Sequence, residues 1–267
     1  MNLVLFDSSE LASPLPRSDA RAVHVLEVLR RREGEAFDAG VVNGPRGKAV
    51  VRHIAAGHLE LLFNWGEAPP PLPPLTLIMG LPRPQTARKI LNEAATFGVT
   101  GLHFVATERS DPNYAASTLW SSGEWRRHLL AGAAQAFDTR IPEVTWTRSL
   151  PEAISESGRG VLTGFHDSSL HTHNFRDGSS VLSPNDASLV LIALDNYEAS
   201  VRLGEIELEP SRGVCLALGP ERGWGGNDRA VLRKNGFLLA HLGERVLRAE
   251  TAVIAALGIV AARQGRM

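Results

Sequence analysis

The sequence has 267 residues, of which 43% are hydrophobic and 21% charged, and its 28 basic residues balance 29 acidic ones. This composition excludes an intrinsically disordered chain, and the formal net charge of −1 excludes a protein that coats nucleic acid by charge alone. The single cysteine, Cys215, excludes an intramolecular disulfide and a CxxC zinc site. Its apolar neighbours predict a buried, unreactive thiol.

The apolar runs are too short to span a membrane. The longest, residues 252–262, has 11 residues, whereas a membrane-spanning helix needs about 20. The N-terminal sequence MNLVLFDSSE has no basic segment ahead of its apolar residues, so we predict no signal peptide. Together these features predict a cytoplasmic protein with no membrane partner.

A proline-rich connector divides the chain. Residues 69–74 read PPPLPP, a stiff segment that fits neither a helix nor the interior of a sheet. Residues 1–68 carry short apolar runs separated by turn residues, with one short helix predicted over residues 20–30. This pattern predicts a small β-barrel, which is a module better suited to binding than to catalysis.

Residues 75–267 alternate apolar strands with amphipathic helices. The predicted strands are residues 75–81, 102–107, 143–148, 161–165, 189–194, 214–219 and 238–243. The helical patterns cover residues 84–97, 124–136, 150–157, 228–236 and 250–264. Alternation of this kind, with near-continuous apolar strands, predicts an α/β fold whose parallel sheet is covered by helices on both faces.

Two strand ends in this second part stand out, the first by its four glycines and the second by its two arginines and two glutamates. They read LGPERGWGG at 218–226 and LGERVLRAET at 242–251. Ligands of parallel α/β sheets bind at the carboxyl ends of strands, and glycines let the backbone approach a ligand closely. Neither loop is a GxGxxG or Walker A sequence, which disfavours dinucleotides and nucleoside triphosphates. For either loop alone, a purely structural turn is the alternative interpretation.

A polar loop holds three histidines, His166, His171 and His173. It has neither the helical HExxH arrangement nor the cysteines that are typical of metal sites. We therefore predict no metal.

The two loops carry a resemblance to a known family. GPERGW, followed by LGERVLRAETAVIAAL, resembles the paired signature of the bacterial 16S rRNA (uridine-N3) methyltransferases, the RsmE family of the SPOUT superfamily. HVLEVLRRREGEAFDAG in the first part and FGVTGLHFVATERS in the second are similar to further family segments, so the resemblance covers nearly the whole chain. Arg222, Glu244 and Ala249 depart from the family's usual glycine, proline and threonine.

The resemblance implies a SPOUT-type parallel sheet with a C-terminal trefoil knot over residues 75–267, and a PUA-like RNA-binding β-barrel over residues 1–68. It implies S-adenosylmethionine as the cofactor and methyl transfer to N3 of a specific uridine in small-subunit rRNA. A homodimer is implied as well.

The resemblance also implies site residues. The catalytic candidates are Arg245, Arg248 and Glu250, with Glu221 or Glu250 as the proton acceptor. The cofactor-binding candidates are Leu194, Leu218, Gly219, Pro220, Glu221, Gly223, Leu242, Gly243, Val246 and Leu247. For RNA the candidate phosphate contacts are Arg17, Arg21, Arg30, Arg31 and Arg32. The alternative for these arginines is a solvated charged face, because acidic residues follow them directly.

Three other functions stay open at this point. One is a SPOUT methyltransferase acting on a different RNA, which the altered first helix of the second part favours. Another is a non-catalytic RNA-binding protein that retains the fold. The third is an unrelated α/β enzyme that binds a nucleotide at the same strand ends, and the absence of both nucleotide-binding sequences disfavours it.

Overall fold

The computed structural model of the chain describes residues 3–70, 74–163 and 189–267. Its first part is a five-stranded sheet in the order β1-β3-β4-β5-β2. These strands are β1 (Val4–Phe6), β2 (Leu15–Pro16), β3 (Ala36–Val41), β4 (Arg46–Ile54) and β5 (His58–Trp65). β1 and β3 are parallel, and the other neighbours are antiparallel. Within residues 3–70, β1 and β2 are the two edge strands and are not paired with each other.

Alternating apolar residues and one short helix build the core of this first sheet. Phe6, Phe37 and Leu59 are buried between the strands. The predicted helix over residues 20–30 is α1 (Ala20–Val23), which continues as a turn of π-helix through residues 24–28.

The second part is a seven-stranded sheet in which all neighbouring strands are parallel. Its strands are β6 (Leu75–Gly80), β7 (Gly101–Ala106), β8 (Glu143–Ser149), β9 (Leu189–Leu194), β10 (Val201–Arg202), β11 (Gly213–Leu218) and β12 (Leu238–His241). They lie in the order β10-β12-β9-β11-β6-β7-β8. The helices are α2 (Pro84–Thr96), α3 (Thr118–Ser121), α4 (Glu124–Gln135), α5 (Leu150–Thr163), α6 (Gly226–Lys234) and α7 (Ala249–Arg263).

Helices cover both faces of this parallel sheet, which confirms the predicted α/β fold. On one face, α2, α4 and α7 bury apolar side chains such as Ile90, Leu129 and Leu257. On the other face, α5 and α6 contribute Ile154 and Leu232. Each fully buried side chain of this size contributes about 1.5–3 kcal/mol through the hydrophobic effect.

The predicted strand at residues 161–165 is wrong over residues 161–163, and residues 164–165 lie outside the described residues. Residues 161–163 are the last residues of α5, which begins at Leu150. A short apolar run does not by itself distinguish a strand from a buried turn of helix, and here the run continues a helix that starts upstream. The two-residue strand β10 was not predicted, because two residues carry no periodic pattern.

Hydrogen bonds connect the first sheet to α4 and the residues that follow it. The Leu3 amide donates to the Ala134 carbonyl over 3.2 Å, and the Thr139 hydroxyl donates to the Gly44 carbonyl over 2.7 Å. Arg126 of α4 forms an ion pair with Asp7. The two sheets are therefore docked together. Within the described ranges, no helix is long and apolar enough to cross a membrane.

A charged contact joins α2 and α4, two neighbouring helices of one face. Arg88 of α2 donates two hydrogen bonds to the Glu124 carboxylate of α4, over 2.7 and 3.0 Å. His128 contacts the same carboxylate at 3.2 Å. The Arg88 guanidinium, followed by His128, lowers the pKa of Glu124 from 4.5 to about 2.

We therefore expect Glu124→Gln to change how the free energy of unfolding depends on pH. A lowered carboxyl pKa stabilises the native state fully above about pH 4.5, and this contribution is lost as the pH falls towards 2. Urea unfolding between pH 7 and pH 3 should show the variant less stable than wild type at pH 7, with the difference shrinking in acid. The exposed Glu67→Gln serves as the control, and a difference that does not vary with pH would contradict the expectation.

Candidate functional site

A cavity of about 180 Å³ lies at the carboxyl ends of three adjacent strands, β12, β9 and β11. Its walls are the loops that follow these strands. Nine predicted cofactor-binding residues line it, namely Leu194, Leu218, Gly219, Pro220, Glu221, Gly223, Leu242, Val246 and Leu247. Gly243 does not line the cavity. It has a φ of 125°, so it shapes the turn after β12.

The loop after β11 is folded too tightly to admit side chains at its glycines. A Cβ on Gly219 would lie 2.9 Å from the Trp224 amide nitrogen. The Gly223 amide donates to the Pro220 carbonyl over 2.7 Å, and Gly223 has a φ of 69°. The backbone itself therefore forms this wall, as the glycine-rich sequence predicts.

Trp224 ties this loop to the neighbouring strand. Its indole Nε1 donates to the Leu194 carbonyl at the end of β9 over 2.9 Å, and the side chain is buried. Asp228 of α6 also stabilises this loop, because its carboxylate accepts a hydrogen bond from the Gly225 amide over 2.8 Å. Two of the three cavity walls are consequently rigidly connected.

A buried ion pair supports the loop after β9. Asp195 Oδ2 accepts from Arg229 Nε over 2.7 Å, and the two side chains are only 1% and 7% exposed. Asp195 Oδ1 accepts from the amides of Tyr197 and Glu198, each over 2.7 Å. The carboxylate therefore fixes the conformation of residues 195–198, three of which line the cavity.

The predicted catalytic residues occupy different positions. Arg245 lines the cavity, is exposed, and has no ion-pair partner among the described residues. Arg248 is exposed just before α7, where its carbonyl accepts from the Ala252 amide over 2.8 Å, and it does not line the cavity. The structure thus brings Arg245, but not Arg248, into contact with the cavity.

Glu250 also lies away from the cavity. Its carboxylate is 3.0 Å from Lys89 Nζ of α2. A hydrogen bond from its own backbone amide, followed by the Lys89 ammonium, lowers the pKa of Glu250. A carboxyl group with a lowered pKa is a weak base, so this contact indicates that Glu250 docks α7 onto α2. Of the two predicted proton acceptors, only Glu221 lines the cavity, and its Oε1 accepts from the Arg83 amide over 3.0 Å.

Several lining residues were missed by the sequence analysis. They are Asp195, Asn196, Tyr197, Arg222, Trp224, Ala249 and Ala252. The first three follow the apolar strand LVLIAL, so the rule that ligands bind at strand ends could have found them.

Of the candidate RNA-contacting arginines of the first part, Arg21 lies in α1 and the other four lie in the connecting segments before and after this helix. Arg17, Arg30 and Arg32 are exposed, and Arg31 is half-buried. Arg21 differs, because its guanidinium donates to the carboxylates of Glu10 and Asp19 and to a backbone carbonyl. With its donors engaged in this way, Arg21 acts in the structure as a bridge between chain segments.

No group of metal-ligating side chains occurs in the ranges that the structure describes. His166, His171 and His173 lie outside the described residues. Cys215 is buried within β11, as predicted.

Comparison with known proteins decides the family. The RNA methyltransferase domain family matches residues 68–261. The ribosomal RNA small subunit methyltransferase E of Treponema pallidum is 32% identical over 98% of this chain and 91% of its own length. The chain belongs to the RsmE family.

Solved structures share the fold of this RsmE-family chain. The ribosomal RNA small subunit methyltransferase E of Neisseria gonorrhoeae, bound to S-adenosylmethionine, superposes with a TM-score of 0.68 and 22% identity, covering 97% of both chains. A probable rRNA-methyltransferase of Porphyromonas gingivalis gives a TM-score of 0.70 and 19% identity, covering 98% of this chain and 99% of its own. These structures show the shared fold, and the family model together with the Treponema relative confirms the predicted family membership.

Proposed function

We propose that this protein is an S-adenosylmethionine-dependent methyltransferase that modifies N3 of a uridine in the 16S rRNA of the small ribosomal subunit. One observation carries the proposal: two loops of an RsmE-family sequence meet in a single cavity at three adjacent strand ends. The names of the Treponema and Neisseria proteins support the rRNA substrate, and the Neisseria structure supports the cofactor.

The residues of the cavity fit S-adenosylmethionine. The cavity wall at Gly219 is bare backbone, because a Cβ there would lie only 2.9 Å from the Trp224 amide nitrogen, and the apolar residues Leu218, Val246 and Leu247 line the rest. Backbone groups between apolar walls suit a flat, heteroaromatic adenine with polar edges. When bound, the cofactor supplies an electrophilic methyl group on a sulfonium sulfur.

The protein's own groups would activate the uracil. N3 of uracil is a poor nucleophile until it loses its proton, and negative charge then develops on the neighbouring oxygens. The Arg245 guanidinium, exposed at the cavity and unpaired within the described residues, would stabilise that charge. Glu221 is the carboxylate placed to take the proton, at Oε2, because its Oε1 accepts from the Arg83 amide. Positioning of both reactants supplies the rest of the catalysis.

The finer architecture is part of the same proposal. Residues 75–267 would form the SPOUT domain, with the loops after β11 and β12 in a trefoil knot. Residues 1–68 would form the PUA-like RNA-binding module, joined by residues 69–74. Exposed Arg17, Arg30 and Arg32, with half-buried Arg31, would contact phosphates. We extend the proposal to a cytoplasmic homodimer, in which α7 would lie at the contact between the subunits.

Gly219→Val tests the cofactor site. A side chain at this position would push into the Trp224 amide and displace this wall of the cavity, which costs about 1–3 kcal/mol when the wall must re-form around the cofactor and so weakens binding by about five- to 150-fold. Titration calorimetry with S-adenosylmethionine measures the affinity. The control is Gly226→Ala, because a Cβ on Gly226 meets no atom within 4 Å and Gly226 does not line the cavity.

Transfer of labelled methyl groups to small ribosomal subunits that lack this modification tests the reaction itself. Mapping of the label identifies the base and the atom. A folded wild-type protein that binds no S-adenosylmethionine would overturn the proposal. Binding without methylation of 16S rRNA would instead assign the enzyme to a different RNA.

A further inference from the structure

Tyr197 is an unusually exposed aromatic side chain at the edge of the cavity. Its side chain is 76% exposed, and it lines the cavity. Every other aromatic residue in the described part of the chain is buried or half-buried. Exposure of a large aromatic ring costs hydrophobic stabilisation, so a position beside a binding cavity points to a ligand.

The ring is held in place although it is exposed. The Tyr197 amide donates to Asp195 Oδ1 over 2.7 Å, and Asp195 is itself buried against Arg229. The Arg229 guanidinium lies 5.4 Å from the centre of the Tyr197 ring, within the range of a cation–π contact. One face of the ring thus rests on a buried cation, and the exposed remainder is available to a ligand.

The surroundings of the ring suit a nucleotide. Tyr197 Cε2 lies 3.8 Å from the position of a Cβ on Gly223, so the ring adjoins the glycine-rich loop. Val246, which also lines the cavity, is 81% exposed and adds an apolar surface. Arg222 lines the cavity, is exposed, and has no ion-pair partner among the described residues. An aromatic and apolar surface beside an unpaired guanidinium is suited to a nucleotide, whose base can stack on the apolar surface while its phosphate pairs with the guanidinium.

We propose that Tyr197 receives the target base of the RNA by stacking at the mouth of the cavity, while Arg222 binds an adjacent phosphate. This inference rests on the proposed function, and it names a residue that acts on the RNA and not on the cofactor. A base must leave its helical stack to reach an enclosed reaction site, and a fixed aromatic ring compensates for the stacking that is lost.

The test compares Tyr197→Ala with Tyr197→Phe, which keeps the ring. Stacking of one base contributes about 1–3 kcal/mol, so Tyr197→Ala should lower kcat/KM for small ribosomal subunits by about five- to 150-fold. Tyr197→Phe should stay within about threefold of wild type. The Kd for S-adenosylmethionine should be the same in all three proteins within about twofold. Filter binding to protein-free 16S rRNA gives a second measurement that requires no turnover.

Three outcomes for Tyr197→Ala would overturn the inference, and each would point to a different role of the ring. Unchanged kcat/KM and unchanged RNA binding in Tyr197→Ala would show that the ring does not contact RNA. A weaker Kd for S-adenosylmethionine would assign the ring to the cofactor. Dissociation of a wild-type dimer by Tyr197→Ala, seen in sedimentation, would assign it to a contact between subunits. If wild-type protein methylates no rRNA, the proposed function fails. The RNA affinity of Tyr197→Ala relative to that of wild type then still decides whether the ring of Tyr197 binds RNA.

Discussion

Arg229→Met should destabilise the protein by about 3–5 kcal/mol, because it leaves the Asp195 carboxylate buried without its cation. The Asp195 side chain is 1% exposed, so solvent cannot replace the lost partner. Methionine retains most of the volume of the arginine stem, which limits the packing contribution to the change. Urea unfolding at pH 7 measures the free energy of unfolding directly.

Two further variants separate charge from packing. Adding Asp195→Asn to Arg229→Met should recover part of the lost stability, because it removes the unpaired charge and keeps an oxygen for the amides of Tyr197 and Glu198. Arg233→Met is the matched control: Arg233 pairs with Glu198, but its side chain is 50% exposed, so its loss should cost no more than about 1 kcal/mol. With Asp195→Asn measured alone as well, a double variant whose loss of stability equals the sum of the two single losses would contradict the ion-pair argument.

Arg245→Ala should lower kcat for methyl transfer by about 10²–10³ while leaving the Kd for S-adenosylmethionine within about twofold of wild type. The reason is that a cation acting on charge that develops only during the reaction contributes to the transition state and not to cofactor binding. Single-turnover transfer of labelled methyl groups to small ribosomal subunits measures this step.

The matched control is Arg202→Ala. Arg202 is an exposed arginine of β10, at the edge of the parallel sheet, and does not line the cavity. This variant should leave kcat and the Kd for S-adenosylmethionine unchanged. A raised KM with wild-type kcat in Arg245→Ala would contradict the catalytic assignment, since it would indicate binding that is equal in the ground and transition states.

Local patterns predicted most of the second part correctly. The helices predicted at residues 84–97, 124–136 and 250–264 match α2, α4 and α7 to within one residue at each end. Pro84 at the start of α2 and Gly236, with a φ of 81° after α6, are signals that a short stretch of sequence carries by itself. Residues 161–163 were misread for the same reason, since their local pattern fits both a strand and the end of a helix.

Contacts between distant segments decided the roles of single charged residues. Glu250 belongs to a stretch of sequence that resembles the family signature, yet it lies in the first turn of α7 and pairs with Lys89, far away in the sequence. Arg21 was a candidate for phosphate, but Glu10 and Asp19 occupy its donors. A charge pattern along the chain cannot identify these partners, because the fold brings them together.

The family, the alternation of strands and helices, and the two signature loops that line the cavity follow from the sequence alone. These features depend on backbone conformation and on residues that are close in the chain. The position of β9 between β11 and β12 emerges from the fold, and it brings Asp195 and Tyr197 to the same cavity as the two loops. Strand order depends on packing between segments far apart in sequence, so the sequence could place Tyr197 at a strand end but could not place it beside those loops.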